Sequence, residues 1–262
     1  MKQKILFALA VLLTASLPLF AGDDDVDMSN PVDPYTKLGI SYGTGGLNIS
    51  SMVVFGRSQT CKSGIIFNVN DVASLDADDI NYRLRVGQIS TVNGIGFSVD
   101  AINAYHSDLY GRMSVIQAGI NASIPIADRF MFFPVLYTGP VIVENTTEFL
   151  FERTVGTTYY SYVEDYDSSG GYDIASMVGT AMLYANAKIT EKFWALGSIS
   201  YTNSYWGKSF TDDVVDGGLQ VDPLSMDLTV GFQITKSQNI TVCWDYVEDD
   251  SDDFSISYNY AF

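Results

Sequence analysis

Phe254-Ser255-Ile256-Ser257-Tyr258-Asn259-Tyr260-Ala261-Phe262 is the stretch whose reading decides the fold. Phe254, Ile256, Tyr258, Tyr260 and Phe262 are large and apolar, while Ser255, Ser257, Asn259 and Ala261 are small or polar. Successive side chains of a strand point to opposite faces, so this alternation gives one apolar face and one small polar face. Such a strand suits a wall between lipid and water.

The pattern recurs upstream. Leu224, Met226, Leu228, Val230, Phe232 and Ile234 alternate with Ser225, Asp227, Thr229, Gly231, Gln233 and Thr235. Ile240, Val242, Trp244 and Tyr246 alternate with Thr241, Cys243 and Asp245. Sustained matches to the period-two template argue strands. The closing stretch resembles the C-terminal signal of Gram-negative outer-membrane β-barrels. The resemblance implies that Tyr258, Tyr260 and Phe262 form an assembly signal read by the barrel-assembly machinery. It also implies outer-membrane lipid and lipopolysaccharide as surroundings. It gives a class and an address, without a specific family or an activity.

The other end of the chain agrees with export. Lys2 and Lys4 precede an apolar run from Ile5 to Leu13, and Pro18 to Ala21 lead to Gly22 and an acid cluster. This reads as a signal peptide over 1–21, cut after Ala21, although Leu19 suits the minus-three position only moderately. Residues 22–34 read as an acidic lead-in, and 35–262 as one barrel. No later segment has the 18 or so consecutive apolar residues of a helical span. Yet 47% of the chain is hydrophobic, with 17 Tyr and 15 Phe, so its apolar surface is distributed along strands. The formal charge of −17 excludes phosphate-driven binding of nucleic acid. Cys61 and Cys243 are placed on non-adjacent elements, so two free thiols are expected rather than a disulfide.

Short turns in such barrels face the periplasm and longer loops face outside. Counting back from the C-terminus gives an up-and-down antiparallel transmembrane barrel of about twelve strands, with ten as the alternative. Asn93-Gly94 carries the signature of a two-residue type I′ hairpin. That turn would pair Gly87 with Asp100 and set Arg85 diagonal to Asp100. The strand from Phe130 to Val143 is apolar on both faces and holds Pro134 and Pro140, which predicts a distorted ladder or an inward bulge narrowing the lumen. Residues 144–172 are too long for a simple loop. Phe149 and Phe151 on one arm, and Tyr160, Tyr162 and Tyr166 on the other, predict a hairpin tipped near 154–158 that continues the barrel strands above the membrane. Phe193, Trp194, Tyr205 and Trp206 read as interfacial girdle residues.

Facing arithmetic places Arg83, Arg85, Asp100, Lys188, Asp227 and Asp245 in the lumen, with Lys37 beside them. Polar walls carrying both signs of charge suit an aqueous path. The acidic stretches at 76–79, 212–216 and 248–253 would crowd the outer mouth and concentrate small cations. Mg²⁺ or Ca²⁺ could bridge them to lipopolysaccharide phosphates, but none matches a calcium-loop pattern, so no metal site is expected. His106, the single histidine, is followed by Ser107 and Asp108, whose side chains diverge and cannot form a triad with it. No enzyme activity, catalytic residue or cofactor is expected. The expected role is a narrow pore for passive diffusion of small polar or cationic solutes. The alternative is a non-conducting surface barrel that binds a partner through its tall hairpin, in adhesion or envelope integrity.

Overall fold

The computed structural model describes residues 28, 35–44, 46–72, 80–107, 111–144, 149–155, 158–164, 172–207, 224–247 and 252–262. The expected signal peptide, nearly all of the expected acidic lead-in, most of the acidic loops and Tyr166 lie outside these residues. So do the side chains of the 149–164 hairpin and of His106.

Alternation produces β-strands along the chain. They are β1 (Lys37–Gly43), β2 (Gly46–Arg57), β3 (Cys61–Asn70), β4 (Asn81–Ser90), β5 (Ile95–Ser107), β6 (Gly111–Ala122), β7 (Ile124–Ala127) and β8 (Phe130–Glu144). Then come β9 (Phe149–Val155), β10 (Thr158–Glu164), β11 (Tyr172–Lys188), β12 (Phe193–Gly207), β13 (Leu224–Thr235), β14 (Gln238–Val247) and β15 (Asp253–Ala261). Twelve of them form a closed antiparallel ring in chain order, because β8 pairs with β11 and β15 pairs with β1. The short β7 continues the line of β6 along β8, and β9 with β10 makes a separate two-stranded sheet.

The outside of the ring is apolar. Ile40, Val86, Phe97, Ile120, Leu136, Leu183, Ile199, Leu228, Val242 and Ile256, drawn from ten different strands, are all exposed. A soluble chain rarely shows contiguous apolar surface of this extent. A membrane-spanning barrel requires it. No helix among the described residues is long and apolar enough to cross a membrane.

One rim carries only short turns, and these are stitched to one another. Thr91 N donates to Thr60 O (3.0 Å), Ser123 N to Gly94 O (2.8 Å), Lys188 N to Arg129 O (2.8 Å), Gln233 N to Lys192 O (2.8 Å) and Ala261 N to Ser237 O (2.8 Å). The long connections all leave the opposite rim.

Three expectations need correction. The turn between β4 and β5 spans 91–94 rather than two residues, with Ile89 opposite Gly96 and Arg85 directly opposite Asp100. A type I′ turn needs positive φ at both central residues. Here Gly94 has φ 69° and Asn93 is not among the positive-φ residues. Ser90 Oγ accepts from the backbone N–H of Val92 and Asn93 (3.3 and 3.4 Å) and stabilises the longer turn. Second, Trp194 faces inward and is only 6% exposed, whereas Phe193, Tyr205 and Trp206 are exposed as expected of a girdle. Tyr205 and Trp206 share the outer side because Tyr205 is the extra residue of a bulge opposite Met177 and Val178. Third, the 149–164 hairpin is confirmed in its backbone, with Val155 opposite Thr158, Phe151 opposite Tyr162 and Arg153 opposite Tyr160. Its sheet is nevertheless separate from the barrel's.

The prolines act as predicted. Asn121 pairs with Val135 and Ile124 with Phe132, so Pro134 falls where β6 gives way to β7. Val115 pairs with Val141 and Ala118 with Thr138, so Pro140 falls in the second gap. A residue without an N–H cannot serve both neighbours.

Candidate functional site: a lumen divided into two halves

Strand parity places all six proposed lumen residues on inward faces. Arg83, Arg85 and Asp100 converge. Arg83 Nε donates to both carboxylate oxygens of Asp100 (2.9 and 3.0 Å), and its Nη2 also bonds Oδ2. Arg85 donates to the same Oδ2 from Nε (3.1 Å) and Nη2 (2.7 Å). Asp100 is 1% exposed and is enclosed by the two guanidinium groups. Paired and multiply hydrogen-bonded, it meets the condition for a buried charge. Lys188 is apart from this group, at the short-turn end of β11 opposite Trp194.

Asp227 and Asp245 are directly opposite one another on β13 and β14, and Asp253 on β15 extends the row. Opposed residues on antiparallel strands have Cα atoms about 5 Å apart. Like charges in that relation repel. Among the described residues, only modest donors meet them. Ser198 Oγ donates to Asp227, Cys243 Sγ lies 3.4 Å from Asp245 Oδ1, and Thr44 Oγ1 donates to Asp253. The row lies toward the long-loop rim and can attract cations. Cys61 and Cys243 are both free thiols.

The β4–β12 side of the lumen is filled. The inward residues Phe133, Val135, Tyr137, Val141 and Val143 of β8 are buried, as is Val178 of β11. Tyr137 Oη bonds Ser98 Oγ, and the Arg85 guanidinium lies over the Tyr137 ring, 5.4 Å from its centroid. Gln117 Nε2 donates to Thr180 Oγ1 (2.8 Å), which bonds Thr202 Oγ1 (2.9 Å). The apolar inward face of β8 thus narrows the bore with side chains.

Beside this packed side lies a cavity of about 580 Å³, bounded by small polar residues such as Ser50, Asn68, Thr241 and Ser257 and by apolar ones such as Ile66, Phe133 and Leu196. Its short-turn end is floored by Met28, Tyr35 and Lys37. Met28 and Tyr35 pack with Ala261, so part of the lead-in enters the bore. Two aromatic rings at the wall lie flat. Trp194 is opposite Gly231, and Tyr137 is opposite Gly119. In each case a Cβ on the glycine would collide with the ring. Glycine lets each ring lie against the neighbouring strand instead of crossing the bore.

Parity finds the charged lumen residues, and the same parity, taken from the exposed Ile199 back along β12, puts the even-numbered Trp194 inward despite its place at a strand end. Lys62, Tyr35 and Met28 were missed because only closure of the ring brings them to one cavity.

No family model matches the chain, and no curated protein matches it in sequence. Solved structures of similar architecture include the NanC porin, at 10% identity over 87% of this chain and 98% of that one, with a TM-score of 0.47. The KdgM porin is at 8% identity over the same shares, with a TM-score of 0.44. The translocator domain of the autotransporter NalP from Neisseria meningitidis is at 12% identity over 99% and 98%, also with a TM-score of 0.44. These likenesses are of strand architecture, at identities too low to transfer a solute or a partner. What the chain itself shows is an all-β, closed antiparallel barrel of twelve strands.

Proposed function

We propose that this barrel resides in the outer membrane of a Gram-negative cell and is a narrow pore for passive diffusion of small polar solutes. One observation carries the reading. A ring with an apolar exterior encloses a cavity of about 580 Å³ whose wall sets hydroxyl and amide groups among apolar side chains. Side chains with hydrogen-bonding ends can replace solvent around a small solute, while the filled half limits its size. Small cations fall within the reading at the long-loop mouth, where Asp227, Asp245 and Asp253 raise their local concentration. The short-turn rim is assigned to the periplasm by its turn lengths.

The test is single-channel conductance of the refolded chain in a planar bilayer, with reversal potential measured across a salt gradient. Discrete, steady openings support the pore. Silence from protein verified as folded refutes it. A second reading has a specific observation in its favour. The β9–β10 hairpin has its own ladder, with Phe151 opposite Tyr162, and could present a binding surface. Loss of cell attachment on trimming 149–166, with conductance intact, would support that role.

A further inference from the structure

The chain as a whole is strongly acidic, yet its lumen cavity is not. Three charged residues are among the described residues lining it, Lys37, Lys62 and Arg85, and none of the lining residues is Asp or Glu. One nearby acid is already committed, while Asp245 reaches the edge of the cavity through the lining residue Cys243, whose Sγ is 3.4 Å from its Oδ1. Asp100 is shared between Arg83 and Arg85, so two guanidinium groups face one carboxylate and a net positive charge remains. Lys37 has no carboxylate partner among the described residues. Its ammonium faces the Tyr35 ring, 5.8 Å from the centroid.

From this arrangement we infer that the cavity is a binding chamber for a small hydroxylated oxyanion, an organic acid or a phosphate ester of monomer size. The inference rests on the pore reading for its transport role and, within that reading's small polar solutes, selects anions in place of cations. Ammonium and guanidinium groups give charge-assisted hydrogen bonds to carboxylate and phosphate oxygens. Within a narrow lumen, low dielectric strengthens them relative to bulk water. The neutral wall supplies the remaining contacts. Ser50, Asn68 and Ser257 present hydroxyl and amide groups that can both donate and accept, which matches the hydroxyls of such a solute. The volume is that of a small-molecule site. A cation entering past the acid row would meet repulsion here, whereas an anion that passes the row would be held. The chamber, rather than the mouth, then sets selectivity.

The experiment is titration calorimetry on the full folded chain in detergent, using D-gluconate against D-glucose and glycerol 3-phosphate against glycerol. Each pair isolates the charge on a shared skeleton, and the two anions distinguish carboxylate from phosphate. At least one anion should bind about tenfold or more tighter than its neutral partner, as expected for a hydrogen bond to a charged group. Raising the salt concentration should weaken the anion selectively, and Lys37→Gln should remove most of the difference. Equal binding of an anion and its neutral partner in both pairs overturns the inference. So does full retention of anion binding in Lys37→Gln. If that variant does not fold, the comparison of charged and neutral ligands on the unaltered chain still decides. The two readings fail separately. Selective binding by a barrel that never conducts ends the pore reading and keeps the chamber. Conduction with no anion preference in calorimetry does the reverse.

Discussion

Gly231→Ala probes how the bore is kept open. A Cβ at position 231 would overlap Cε2 and Cζ2 of Trp194 and lie 2.6 Å from its Nε1. Ordinary heavy-atom contacts need 3.5–4.0 Å, so the indole must lift by about 1 Å or more. The strand wall blocks retreat in one direction, and the ring can move only into the cavity of about 580 Å³ that it borders. Overpacking of this kind costs about 1–3 kcal/mol. Two readouts should therefore move together. Single-channel conductance should fall, and the urea midpoint of the folded protein in phospholipid vesicles should drop. Trp194→Ala should raise conductance by removing the ring. In the Trp194→Ala background, adding Gly231→Ala should have little effect on either readout, because its clash partner is gone. A coupling of about 0.5–3 kcal/mol between the two sites is expected for residues in contact. Additive effects, or unchanged conductance in Gly231→Ala, would refute the argument that the glycine holds the ring against the wall.

Asp100→Asn should destabilise the barrel by about 3 kcal/mol or more, since it leaves two guanidinium groups without their shared carboxylate. Arg85→Gln should cost clearly less, because Arg83 retains its bonds to Asp100, and urea titrations of the two variants check the order. Asp245→Asn, which removes the middle charge of the acid row, should stabilise by roughly 0.2–1 kcal/mol. It should also shift the reversal potential away from cations. Deleting 149–166 should leave conductance and folding intact, since β9 and β10 share no ladder with the ring, and bilayer recordings of the deletion variant test this.

Much of the wall was legible because period-two alternation depends only on which face meets lipid. Leu228, Phe232 and Ile234 are outside, and Asp227 and Thr229 inside, as parity requires. Arg83, Arg85 and Asp100 were placed in the lumen by the same count. Their register was not legible. The two-residue slip at the 91–94 turn leaves every side chain on its original face, so alternation is blind to it. The lumen's filled half was concealed for a related reason. β8 is apolar on both faces, and nothing in a local pattern says whether the inner set packs against neighbours or lines an open bore. The cationic chamber depends on β1, β3 and β4 curving toward a shared axis. Three charges separated along the sequence gain a common meaning only after closure.

That closure also bears on how the chain is made. Lys37 pairs with Ala261 and Gly43 with Ser255, so the seam joins residues more than two hundred positions apart. Until β15 is available, β1 presents an unpaired edge in an incomplete ring, and in lipid an open edge is heavily penalised. The seam cannot form while the chain is only partly synthesised. Contacts of such long range also fold slowly. A nascent chain therefore needs to be held unfolded and soluble until its final strand arrives, after which pairing can close the ring in one cooperative event. A truncation within β15 should thus block assembly of the whole wall rather than remove one stave from it.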